Sequence, residues 1–139
     1  MQPRLYWQIH SLAFILEKRA DEALQEQVGI RFAQFKVLEA IGRNAHTRQN
    51  VVADLLDQTE ASISRQIKLL EKRKLISVGI VMGNKRAREL DLSEEGEKIL
   101  RQSRDVLDVM QARLTGDLSS DEQMFFQRLF TQMIENARS

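Results

Sequence analysis

Apolar positions recur at steps of three and four through most of this chain, and the period changes once, between residues 75 and 92. Leu5, Ile9, Leu12, Leu16, Ala20 and Leu24 fall on one face of a helix that should end near Val28-Gly29. A second helix, starting around Arg31, should bury Phe32, Phe35, Leu38 and Ile41 and close at Gly42. A third should open at Thr47 as its N-cap, with Val51, Val52, Leu55 and Leu56 turned inward. Asp57-Gln58-Thr59 reads as a tight turn. Thr59 should then cap a fourth helix whose inner stripe is Ile63, Ile67 and Leu70.

From Leu75 to Val81 the residues become β-branched, and Glu89-Leu90-Asp91-Leu92 alternates strictly. Between them lies the polar, basic stretch Met82–Arg88, so the segment predicts a β-hairpin. Ser93-Glu94-Glu95 restarts a helix carrying Ile99, Leu100, Ser103, Leu107, Met110 and Leu114 on one face, as far as Gly116. Ser119 and Glu122 form a capping box for a last helix containing Phe125, Phe126, Leu129, Phe130, Met133, Ile134 and Ala137. The expected fold is mainly α with a small β-hairpin wing: a winged helix-turn-helix flanked by N- and C-terminal helices.

Length changes this picture little. At 139 residues one domain is expected. The absence of Cys removes disulfides, thiolate ligands and thiol redox sensing, and two His supply a metal site poorly. No metal or cofactor is expected. No apolar run reaches the roughly 18 residues of a membrane span, and the opening residues lack a signal peptide's apolar stretch, so a cytoplasmic protein with no membrane partner is expected. An enzyme is not expected either: there is no Gly-rich phosphate loop or nucleophile elbow, and the carboxylates at 94–97 and 121–122 sit at helix starts, where capping explains them.

Charge adds more. Net charge is only +1, but residues 59–92 hold eight basic groups against four acidic ones, a local +4 that leaves −3 for the remainder. Such a basic middle is either a nucleic-acid footprint or a chance cluster of solvated charges. The order of elements bears on the choice. Ala53 supplies the small residue needed where two helices of a helix-turn-helix cross. Thr59, Ala61, Ser62, Ser64, Arg65 and Lys68 then give a small or polar outer face that could enter a major groove. Alone, this pattern equally describes an ordinary αα-hairpin. The cations Lys85, Arg86 and Arg88 of the hairpin follow it directly, with Arg86 the candidate for a narrow minor groove and Lys85 for phosphate.

Together these stretches resemble the MarR family of transcriptional regulators. The resemblance rests on Ile30–Leu38, on Ser62–Ile67 continuing to Leu70–Ile76, on Asn84-Lys85-Arg86, on Leu92–Gly96 and on Leu118–Glu122. It implies a homodimer joined through residues 1–28 and 97–139, a winged helix-turn-helix lobe over 31–92 that binds double-stranded DNA, repression more often than activation, and release by a small-molecule effector. The chain departs from the family pattern at four places. Asn84 stands for a frequent wing Asp, Lys74 for a Gly ending the recognition helix, Asp57 for a turn Gly, and Arg31 for a Thr cap.

Two features carry alternatives. Apolar pairs at 125/126, 129/130 and 133/134 make the last helix apolar over more than one stripe, which fits either a dimer interface or a thick single core. Tyr6, Trp7, His10 and Phe14 lie at helical spacing and could line an effector pocket or pack in an interface. A winged helix that binds protein rather than DNA is the alternative function.

Overall fold

The computed structural model describes residues 4–80 and 88–139. In chain order the elements are α1 (Leu5–Gln27), α2 (Phe32–Arg43), α3 (Gln49–Leu55), α4 (Glu60–Lys72), β1 (Ile76–Ile80), β2 (Arg88–Leu92), α5 (Glu94–Leu114) and α6 (Ser120–Arg138). The strands pair antiparallel, Ile76 opposite Leu92 and Ile80 opposite Arg88. Arg88 therefore belongs to a strand and not to the turn. Two compact units divide the chain at 106/107, inside α5.

The first unit holds the core, built from Leu24, Ile30, Leu38, Ile41, Val52, Ile63, Leu70 and Leu90. These come from α1 through β2, so the helix-turn-helix and the hairpin share one apolar centre. Ala53 is buried, as a close helix crossing requires. Both helices of the helix-turn-helix end in the same way. Asp57 has φ 52° while Gln58 N–H donates to Ala53 C=O at 3.0 Å, and Lys74 has φ 60° while Leu75 N–H donates to Leu70 C=O at 3.0 Å. A left-handed residue with this bond back to the last turn is the Schellman ending, here made without glycine.

Three expectations need correction. Thr47 does not cap α3: Arg48 takes that position, and Thr47 is buried, its C=O accepting from Leu90 N–H at 2.7 Å. The segment before α3 is thus drawn onto the edge of the hairpin as a one-residue bridge. α3 buries Val52 and Ala53, leaving Val51 and Leu55 exposed. In α2 the buried set is Gln34, Val37, Leu38, Ala40 and Ile41, while Phe32 and Phe35 are half-buried and stack 6.0 Å apart.

The start of α2 replaces its missing Thr cap from a distance. Asp21 of α1 accepts from Phe32 N–H at 2.9 Å and from both Nε and Nη2 of Arg31, at 3.0 and 2.8 Å. The Arg31 guanidinium, then the Phe32 amide, hold the Asp21 carboxyl below its ordinary value of 3.8. A depressed carboxylate stabilises the fold above its unfolded pKa, and that contribution disappears as pH falls through the folded value. Asp21→Asn should cost about 1 kcal/mol near neutrality, the scale of a lost cap. The gap between variant and parent, followed by urea unfolding, should close below about pH 3.8. A gap that persists into acid would mean the carboxylate charge is not the cause.

In the second unit, Ser119 and Glu122 form the expected capping box, with hydrogen bonds of 3.0 and 3.1 Å. α6 has no buried residue; Met124, Phe125, Phe126 and Ile134 are each about half exposed or more.

Candidate nucleic-acid interface

The site is built on α4. Thr59 is its N-cap, Oγ1 accepting from Ser62 N–H at 3.1 Å. Ile63, Ile67 and Leu70 are buried, which aims the opposite face outward: Ala61, Arg65, Lys68 and Lys72 are exposed, and Ser62 and Ser64 lie half-buried on either flank. Among the described residues no carboxylate forms an ion pair with Arg65, Lys68 or Arg88. Their charge is therefore available to an external anion. The Gln49 side-chain amide donates to Glu60 C=O at 3.3 Å and ties α3 to the first turn of α4. Arg73 reaches back to Gly29 C=O at 2.8 Å and anchors the other end.

Arg88, at the start of β2, is exposed. Lys85 and Arg86, the other two wing cations expected from sequence, lie outside the described residues. The base of the hairpin is braced by a contact that sequence reasoning missed. His46, with φ 54°, donates its backbone N–H to Asp91 Oδ1 and sets its ring Nδ1 against Asp91 Oδ2, both at 2.9 Å, with Glu89 Oε2 at 3.7 Å.

The Asp91 hydrogen bond first, then the charges of Asp91 and Glu89, raise the His46 pKa above its ordinary 6.5. The His46 amide lowers that of Asp91. The signs are opposite in effect: the His46 contribution is complete below 6.5 and is lost as pH rises through the raised value, while that of Asp91 is lost as pH falls below 3.8. An NMR titration of the His46 ring should give a midpoint above 6.5 that returns toward 6.5 in Asp91→Asn. An unchanged midpoint in that variant would rule the brace out.

The expected aromatic set is only partly brought together. Tyr6 and Trp7 stand 4.7 Å apart, and Trp7 meets His10 edge-on at 6.1 Å, all three exposed. Phe14 instead borders a cavity of about 470 Å³ between α1, α2 and α4, with Asp21, Arg31, Phe32, Gln66 and Leu69 among its walls. This cavity was not legible from spacing, because its walls join Phe14 of α1 to Leu69 of α4, residues far apart in sequence.

A capped helix with a buried aliphatic stripe, preceded by a tight turn and followed by a two-stranded hairpin, defines a winged helix-turn-helix. Residues 28–87 match the model of the MarR family. Over 125 residues the chain is 25% identical to the transcriptional regulator HosA of Escherichia coli O127:H6, covering 90% of this chain and 93% of that one. Its fold is shared with the S. aureus MepR–DNA complex (TM-score 0.86, 22% identity, 97% of this chain and 99% of that chain). It is shared also with a MarR/EmrR family transcriptional regulator from Acinetobacter sp. ADP1 (TM-score 0.84, 21% identity, 96% and 94%). No helix among the described residues is long and apolar enough to cross a membrane.

Proposed function

We propose that this protein is a sequence-specific double-stranded-DNA-binding transcriptional regulator, acting in the cytoplasm as a homodimeric repressor on a pseudo-palindromic operator. The observation that carries the reading is the outer face of α4: small and polar at its N-terminal end, with Arg65 and Lys68 exposed and outside any described ion pair. A helix so faced can sink into a major groove, and its free cations neutralise phosphate. A protein-binding adaptor has no need of this arrangement. Thr59, Ala61, Ser62, Ser64, Arg65 and Lys68 would meet the groove and its flanks, and Lys85, Arg86 and Arg88 the neighbouring minor groove and backbone. That the similar MepR has been crystallised with DNA, and that HosA is named a transcriptional regulator, supports the reading.

In this reading residues 31–92 form the DNA-binding lobe and residues 1–28 and 97–139 join two copies. Support comes from α6, where Phe125, Phe126 and Ile134 are about half exposed, and from Tyr6, Trp7, Phe14 and Ile15 on α1. Exposed apolar area of this kind marks an interface. Two copies related by a two-fold axis would set their recognition helices about 34 Å apart, on successive turns of the duplex. An effector would fit the cavity that Phe14 borders, where Gln66 and Leu69 of α4 would sense it. The test is fluorescence anisotropy on a duplex selected from random DNA. Binding should weaken steeply with salt, and Arg86→Ala should weaken it further while leaving fold and dimer intact. Equal affinity of Arg86→Ala and parent at moderate salt would remove the wing from the interface.

A further inference from the structure

We infer that Gln58 fixes the hydrogen-bonding character of Ser62, so that α4 presents an acceptor at this position and selects adenine or cytosine. The inference rests on the DNA-binding reading above. Ser62 lies in the first turn of α4, on the flank between the exposed Arg65 and the buried stripe. A serine hydroxyl has one proton to donate and two lone pairs to accept with. Here the proton is already committed: Ser62 Oγ donates to Gln58 Oε1 at 3.1 Å.

Both partners are held from behind. Gln58 follows the left-handed Asp57, and its own N–H is bonded to Ala53 C=O at 3.0 Å; Ser62 N–H is bonded to Thr59 Oγ1 at 3.1 Å. The pair is thus part of the turn of the helix-turn-helix and does not have to form when DNA arrives. What remains for a base is the pair of lone pairs. In the major groove adenine offers an N6 amino group and cytosine an N4 amino group, whereas guanine offers only the acceptors N7 and O6, and thymine O4. An acceptor set against an acceptor forfeits the bond, which is worth roughly a two- to tenfold preference.

Binding sites should be selected from random duplexes by the full chain and by Ser62→Ala, Gln58→Leu and Gln58→Glu, each first shown by thermal unfolding to be folded. The parent should enrich adenine or cytosine at one position of each half-site, and Ser62→Ala should lose that preference alone. Gln58→Leu frees the hydroxyl proton, so guanine and thymine should become tolerated there. Gln58→Glu still accepts the proton and should keep the preference, although its charge lowers affinity for every sequence. Guanine or thymine at the Ser62-dependent position overturns the assignment, as does an unchanged profile in Ser62→Ala or in Gln58→Leu, while DNA binding itself stands. No enriched sequence with the parent would overturn the DNA-binding reading and this assignment with it.

Discussion

Gly96→Ala is expected to lower the stability of the fold by about 3 kcal/mol or more, the upper range for forcing atoms into a filled site. Intrinsic propensity points the other way, since Ala in a helix interior is favoured over Gly by about 1 kcal/mol. Packing decides the sign. A Cβ on Gly96 would stand 1.9 Å from the Leu75 carbonyl oxygen and 2.9 Å from its carbon. That obstacle is backbone, and it cannot swing aside. Leu75 C=O also accepts from Ser93 N–H at 3.0 Å, and the neighbouring Lys74 C=O accepts from Ser93 Oγ at 2.7 Å. Relief would therefore separate the start of α5 from the end of α4 and break the cap of α5, where Gly96 N–H donates to Ser93 Oγ. Urea unfolding gives the measurement, with Gly79→Ala as the control. At Gly79 a Cβ would meet Glu89 C=O at an ordinary 3.9 Å, so stability should stay within about 0.5 kcal/mol. A parent-like midpoint for Gly96→Ala would show that the two segments are not in such close contact.

Arg65→Ala should cost about 1–3 kcal/mol in operator binding, roughly a five- to 150-fold loss of affinity, and should relax the preference at one base position. Arg65 is exposed on α4 and outside any described ion pair, so little stability should go with it. Thermal unfolding should move by no more than a surface substitution does, within about 0.5 kcal/mol. The readout is the pattern of loss. A guanine contact makes the loss depend on the base opposite, while a phosphate contact lowers all sequences alike and flattens the salt dependence by about one unit of slope. Lys68→Ala, on the same face, is expected to behave in the second way. If both variants behave alike, Arg65 is not the base reader.

The places where sequence and structure agree share a length scale. Thr59 caps α4, Asp57 takes up the left-handed turn, and Ser119 and Glu122 close their box, each through groups no more than five residues apart. The hydroxyl bond from Ser62 to Gln58 is equally short in range, and a Gln four residues ahead of a Ser at a helix start was the signal that could have found it. The inner stripe of α4 was also legible, because three aliphatics and a polar opposite face leave one orientation that buries apolar area.

The disagreements are long-range. Thr47 has the residue type of a cap, but its carbonyl is needed by Leu90, 43 positions later, and that pairing pulls it out of the cap. His46 meets Asp91 across 45 positions, and Glu39 meets Arg104 across 65. In α2 and α3 the period was right, yet the buried arc was misjudged: Val37 and Ala40 go inward, and Val51 and Leu55 do not. Periodicity places a residue on a face, and the neighbouring elements decide how much of that face they cover.

The sequence alone therefore determined the element order and the turn and cap of α4, since each depends on backbone preferences acting over a few residues. Tertiary structure alone decided that Asp21 caps α2, that His46 braces the hairpin, that Phe14 borders a cavity and that Gly96 admits no methyl group. Those outcomes depend on which surfaces meet, and that is settled by the joint burial of distant apolar residues rather than by any segment's own pattern.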